Sequence, residues 1–168
     1  MAKTVYTLEV VLMGGPVDDE FVERNPVVAR TIEIRGDQTL ERLHEAIFTA
    51  FDRDDEHLYE FQFGRGPHDS RGECYGVKAP VTLGGAFLAG ERPVGDAAKK
   101  TLDSLGLKEG RSFGYWFDFG DDWYHQIDVL GVGEANTGAK YPRVVAREGA
   151  SPPQYPDLED EDGDWEEE

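Results

Sequence analysis

Apolar and polar positions alternate with the period of a strand in two segments near the N-terminus. Val5 to Met13 is dense in β-branched and aromatic residues and stops at Gly14-Gly15-Pro16, which predicts a first strand closed by a turn. Val27 to Ile34 puts Val28, Ile32 and Ile34 on one side and Ala29, Thr31 and Glu33 on the other before Gly36-Asp37. That is a second strand, antiparallel to the first. The connection between them is too long for a tight hairpin and reads as a loop with one turn of helix. Leu40, Leu43, Ala46, Ile47, Ala50 and Phe51 then recur at three- and four-residue spacing behind Asp37 or Thr39 as the cap. They predict the one main helix, which stops near Asp52 because the acids that follow oppose its dipole. Leu58 to Phe63 alternates again, giving a third strand.

Residues 64–98 hold many Gly, Pro and charged side chains and read as a long insertion loop, a first place to look for a binding surface. Thr101 to Leu107 is a capped leucine turn with Gly106 at its left-handed end. Ser112 to Phe119 and Tyr124 to Leu130 form an aromatic hairpin. If Phe119 faces Trp123, then Phe117 faces His125, Tyr115 faces Ile127 and Phe113 faces Val129. All of these share one apolar face, while Trp116, Asp118 and Tyr124 share the other with Gln126 and Asp128. Tyr141 to Val145 is read as a last short strand. The fold class expected is α+β, a mixed sheet packed on one helix, with residues 1–156 as a single domain and 157–168 as a disordered acidic tail.

Charge narrows the partners. The formal net charge is −18, of which the nine acids after Pro156 supply half. An acidic surface repels phosphate backbones, so nucleic acid is not expected as a direct ligand. No apolar run has membrane-spanning length, and no signal peptide is expected. A single cysteine, Cys74, leaves no intramolecular disulfide, which fits a cytoplasmic protein.

Candidate chemistry concentrates in the hairpin turn. Asp121, Asp122 and His125 have ligand types suited to a divalent metal, the one cofactor the sequence suggests. Against that stands an ordinary turn at Gly120-Asp121-Asp122 and a hydrogen-bonded core histidine. Trp116, Asp118, Trp123 and Tyr124 are the candidate interaction surface, because an aromatic on the second face of a sheet must be covered by the chain or by a partner. His57 and His68 fall in or near loops, Cys74 lacks an orienting group, and Gly131-Val132-Gly133 fails the third glycine of a dinucleotide fingerprint. Trp165 is a candidate docking residue in the tail.

The order strand, strand, helix, strand, leucine turn, strand resembles the ubiquitin-like β-grasp over Val5 to Phe119. In a β-grasp the last strand is central, so the partner strand Tyr124 to Leu130 requires a rearranged or split sheet. The string YWFDFGDDWYHQIDV, with HLYEFQFG, TLDSLGLKEG and YPRVVAREGASPPQYP, resembles the plasmid pRiA4b ORF-3-like family, which includes insertion-sequence passenger proteins. That resemblance implies no established activity. The chain departs from it at Ser151, where relatives commonly carry a cysteine, and in the acidic tail. The expected function is a non-enzymatic protein-interaction module with an unknown protein partner. The alternatives are a metal-dependent hydrolase or nuclease-accessory enzyme using Asp121, Asp122 and His125, and an acidic mimic that binds a basic protein.

Overall fold

The structure is a computed structural model and describes residues 3–65, 69, 71–77 and 95–154. The expected acidic tail 157–168, His68 and Trp165 lie outside the described residues. Elements run β1 (Thr4–Gly14), α1 (Asp19–Arg24), β2 (Ala29–Arg35), α2 (Leu40–Ala50), β3 (Tyr59–Phe63), β4 (Glu73–Gly76), β5 (Gly95–Asp96), β6 (Ser112–Phe117), β7 (Trp123–Glu134) and β8 (Arg143–Glu148). They form a mixed α+β fold in which one sheet has the strand order β5-β4-β3-β6-β7-β1-β2-β8. Every pairing is antiparallel except β4 with β5. No helix among the described residues is long and apolar enough to cross a membrane.

The central strands follow the alternation of their side chains. Leu8 and Val10 of β1, Ile32 and Ile34 of β2, Phe61 of β3, Phe113, Tyr115 and Phe117 of β6, and Ile127 and Val129 of β7 are buried together with Leu40, Leu43, Ile47 and Ala50 of α2. Thr39 caps α2 by accepting the Arg42 amide at 3.3 Å. The leucine turn is a short 3-10 segment, Asp103–Leu105, closed by left-handed Gly106.

β7 lies between β6 and β1, antiparallel to both, so β1 and β6 are not neighbours and the sheet is rearranged, as the partner strand requires. Three expectations are corrected. The hairpin register is offset by two residues from the expected one: Phe117 faces Trp123, Tyr115 faces His125 and Phe113 faces Ile127. An offset of two preserves every face, because side chains alternate with period 2. The insertion 64–98 is not all loop, since β4 and β5 lie within it and extend the sheet beyond β3. The last strand is Arg143–Glu148 rather than Tyr141 to Val145, paired with β2 through a bulge.

Two buried guanidinium groups hold the C-terminal end of α2. Arg30, in phase with Val28, Ile32 and Ile34, points inward and is 2% exposed. It donates to the carbonyls of Ala50 (2.9 Å), Ala29 (2.7 Å) and Glu148 (3.0 Å) and to Ser151 Oγ (2.9 Å). Arg53 lies over the rings of Phe51 and Phe117, each at 5.0 Å, and Trp123 at 5.2 Å. Arg30 stacks over Phe51 as well, at 5.1 Å, so two cations share one ring. Burial lowers the Arg53 pKa to about 10, which leaves the group charged at neutral pH. Beyond these, Ser151 Oγ donates to Asp52 (2.5 Å) and the Gln154 carboxamide accepts the Asp54 (2.7 Å) and Asp55 (3.0 Å) amides. The segment Ala150 to Gln154 is thereby strapped to the end of α2.

His44 is buried on α2, stacked on Tyr59 at 3.8 Å. Glu56 only accepts, so His44 Nε2 carries the proton and donates to it at 2.9 Å, leaving Nδ1 to accept the Tyr115 hydroxyl at 2.6 Å. Burial pushes the His44 pKa below its ordinary value and outweighs the opposing pull of Glu56.

Two outcomes follow. A Cβ on Gly15 would stand 2.3 Å from Trp123 Cε3. Gly15→Ala is expected to destabilise the fold by about 1–3 kcal/mol in chemical denaturation, as overpacking against a rigid ring does. For His44 the folded pKa lies below the unfolded one, so its share of stability is complete above pH of about 6.5 and is lost as pH falls below it. The melting midpoint of the wild type is expected to drop between about pH 7 and pH 5, a fall that His44→Gln reduces; parallel profiles for the two proteins would refute the assignment.

Candidate functional site

The loop joining β6 to β7 is built by its aspartates. Asp118 and Asp122 adopt positive φ, 66° and 61°, a conformation that Asp tolerates through local hydrogen bonding. Asp118 Oδ1 accepts the amides of Gly120 (3.1 Å) and Asp121 (3.2 Å), and the Asp122 amide closes the turn on the Asp118 carbonyl at 2.6 Å. This five-residue turn sets the hairpin register and takes Phe119 out of the strand.

The turn does not assemble the expected metal set. His125 is fully buried on the face that meets α2. Arg53 can only donate, so His125 Nε2 accepts from it at 2.9 Å and Nδ1 donates to the Tyr115 carbonyl at 3.2 Å. Asp122 turns to the opposite face, where its Oδ1 accepts the Trp116 indole N–H at 2.9 Å. Asp121 sits in the turn between them. The alternation of β7 separates imidazole from carboxylates, and among the described residues no group of three His, Cys, Asp or Glu is placed to hold a metal ion.

The proposed interaction residues divide in the same way. Trp123 is a correction: its position on β7 is in phase with His125 and Ile127, and it is fully buried in the core. Asp118 is buried too, capping the turn, with Oδ2 3.5 Å from His57 Nε2. Trp116 and Tyr124 do lie on the face away from α2. They pair across β6 and β7 with ring centroids 5.7 Å apart and planes 17° from parallel. Phe119, expected on the inner face, packs on Trp116 at 4.2 Å. The two aspartates with turn-forming propensity were the signal that the strand ends before it.

This half-buried aromatic trio stands among carboxylates. Glu60 pairs with Trp116 across β3 and β6, so it shares the outer face, where it is 1% exposed. Burial first, then Asp122 and Glu60, raise the Tyr124 pKa. Rings with negative faces beside carboxylates form a setting for a cation.

A carboxylate, imidazole and hydroxyl also align as Glu56, His44 and Tyr115. The Tyr115 hydroxyl, however, lies on a side chain with no exposed surface and a pKa that burial raises well above normal. As a nucleophile it faces side chains rather than substrate.

The chain matches the profile of a family described as plasmid pRiA4b ORF-3-like protein over residues 20–163. It is 30% identical over 141 residues to an uncharacterized protein, y4hQ, of Sinorhizobium fredii, covering 83% of this chain and 62% of that protein. Thus it spans less than two thirds of the length of the curated relative it matches. Its fold is similar to the crystal structure of a protein of unknown function, MM3350, from Methanosarcina mazei Go1, with a TM-score of 0.67 and 24% identity over 92% of this chain and 74% of that one. By the span of the profile match, the chain belongs to the plasmid pRiA4b ORF-3-like family.

Proposed function

We propose that this protein is a non-enzymatic binding module that takes a lysine- or arginine-bearing segment of a partner protein on the face formed by Trp116, Phe119 and Tyr124. The observation that supports the reading is the stacked trio itself, with its indole held by Asp122 and Glu60 beside it. An aromatic face attracts a cation within about 6 Å of the ring, and the carboxylates add to that attraction. The net charge of −18 draws basic partners from a distance and repels nucleic acid. We place the module in the cytoplasm on the strength of its lone cysteine. We also read the sheet as a derivative of the β-grasp. On this view β2-β1 and β6-β3 are the two halves of the parent sheet, separated by the intercalated β7.

The test is a titration of the full chain with an acetylated, amidated lysine-alanine peptide, followed through the Trp116 indole resonance. The peptide is expected to move that resonance, and Trp116→Leu to weaken binding about tenfold, or about 1.4 kcal/mol, within the range of a cation–π contact. Unaltered affinity in Trp116→Leu would refute the assignment.

A further inference from the structure

The end of the sheet beside the aromatic trio carries an apolar groove. β1 bulges at Leu12–Gly14, and Gly14 pairs with Tyr124, which puts the groove at the same end of the sheet as the trio; its lining residues Leu12, Val17, Phe21 and Val28 pack on the core, so it opens on the α2 face, opposite the trio. α1 lies along it, capped by Asp18, which accepts the Phe21 amide at 2.8 Å. Between α1, β1 and Val28 is a cavity of about 150 Å³ lined by Leu12, Met13, Val17, Phe21 and Val22. Between α1 and the C-terminal strap is a second, of about 390 Å³, which shares Val17, Phe21 and Asn25 and adds Ala150 and Pro153. Its volume falls in the range of about 300–1,000 Å³ seen for pockets that bury ligands.

Two side chains that line the smaller cavity are exposed beyond what the core requires: Met13 (57%) and Val22 (47%). Apolar side chains gathered around a cavity mark a binding surface more reliably than scattered ones. The rim is acidic. Asp18 and Glu20 line the larger cavity, Asp19 and Glu23 lie on the same helix, and the one basic residue there, Arg24, is paired with Glu20 at 2.6 Å. An elongated apolar strip with a negative border is complementary to an amphipathic chain segment whose apolar side chains are flanked by lysine or arginine.

We propose that this groove seats the apolar anchor residues of the same basic partner segment, a step that rests on the reading of the aromatic trio for the partner's charge. Anchor and cation are then read at one end of the sheet from its two faces, the anchor by Phe21, Val22 and Met13 and the cation by Trp116 and Tyr124.

The experiment uses the full chain and a synthetic helical peptide with leucines at i, i+3, i+4 and i+7 among lysines, measured by fluorescence anisotropy and methyl resonances. Two control peptides replace the leucines by serine or the lysines by glutamate. The leucine-lysine peptide is expected to shift the Met13 and Val22 methyls and to bind at least tenfold more tightly than either control. Val22→Asp is expected to weaken it about tenfold with the melting midpoint preserved, and Met13→Asp serves as a second variant should the first fail to fold. If Val22→Asp and Met13→Asp bind as the wild type while Trp116→Leu does not, the groove assignment falls and the aromatic reading stands. If none of the three variants weakens binding, both fall. If the free protein's Met13 and Val22 methyls move on Trp165→Ser or on dilution, the groove is filled by this chain's own tail or by a second copy, and the proposal is overturned.

Discussion

The packing at the end of the sheet that carries both candidate surfaces hangs on two guanidinium groups sharing the ring of Phe51. Taking an ion out of water costs several kcal/mol unless the site returns the lost solvation. Here the return differs for each cation. Arg30 receives it from three carbonyls and a hydroxyl, and one of those carbonyls, Ala50, also accepts from Arg147 at 2.7 Å. Cations at that position complement the dipole of α2 at its C-terminal end. Arg53 receives it from three aromatic rings and one imidazole nitrogen. Four elements are bound together in consequence: α2 and β2 directly, the β6–β7 hairpin through His125 and Trp123, and the strap through Ser151.

That arrangement also decides which chemistry the hairpin can offer. His125 orients Arg53, so its two nitrogens are engaged inside the core while Asp121 and Asp122 remain outside. The same alternation that withdraws a metal ligand presents Trp116 and Tyr124 outward. The strap, held by Arg30 and by Gln154, supplies Ala150 and Pro153 as one wall of the groove beside α1. A buried polar cluster therefore shapes two surfaces at one end of the sheet, on its opposite faces.

Much of the fold could be read from periodicity, and its failures have physical causes. Strand faces in β1, β2, β6 and β7 follow from alternation, and α2 follows from its apolar stripe and Thr39 cap. Register within the hairpin does not, because a shift of two residues leaves every face unchanged; only the aspartate turn chooses between the alternatives. Strand order was also beyond periodicity, since a hairpin partner can join either side of β6, and long-range pairing of β7 with β1 leaves no local trace. Arg30 was legible in principle, being in phase with Val28 and Ile32, whereas Arg53 follows the helix among acids and gave no sign of burial. Within the candidate site, Trp116 and Tyr124 could be placed by alternation, but Trp123 could not be an interaction residue on the same logic, and Phe119 moved with the turn. The groove draws on Met13, Phe21, Val22 and Pro153 from distant segments, none of them distinctive alone.

The claim that the cation pair at Phe51 positions the strap is tested most directly by native-state hydrogen exchange on Arg30→Met in the full chain. Local openings report which contacts hold a segment independently of global unfolding. The account predicts that the amides of Ala150, Asp54 and Asp55 lose protection selectively, since the strap supplies the donor Ala150 to Asn25 and the acceptor Gln154 to Asp54 and Asp55, while the amides pairing β6 with β7 keep theirs. Retained protection at Ala150, Asp54 and Asp55, or an equal loss throughout the sheet, would contradict it.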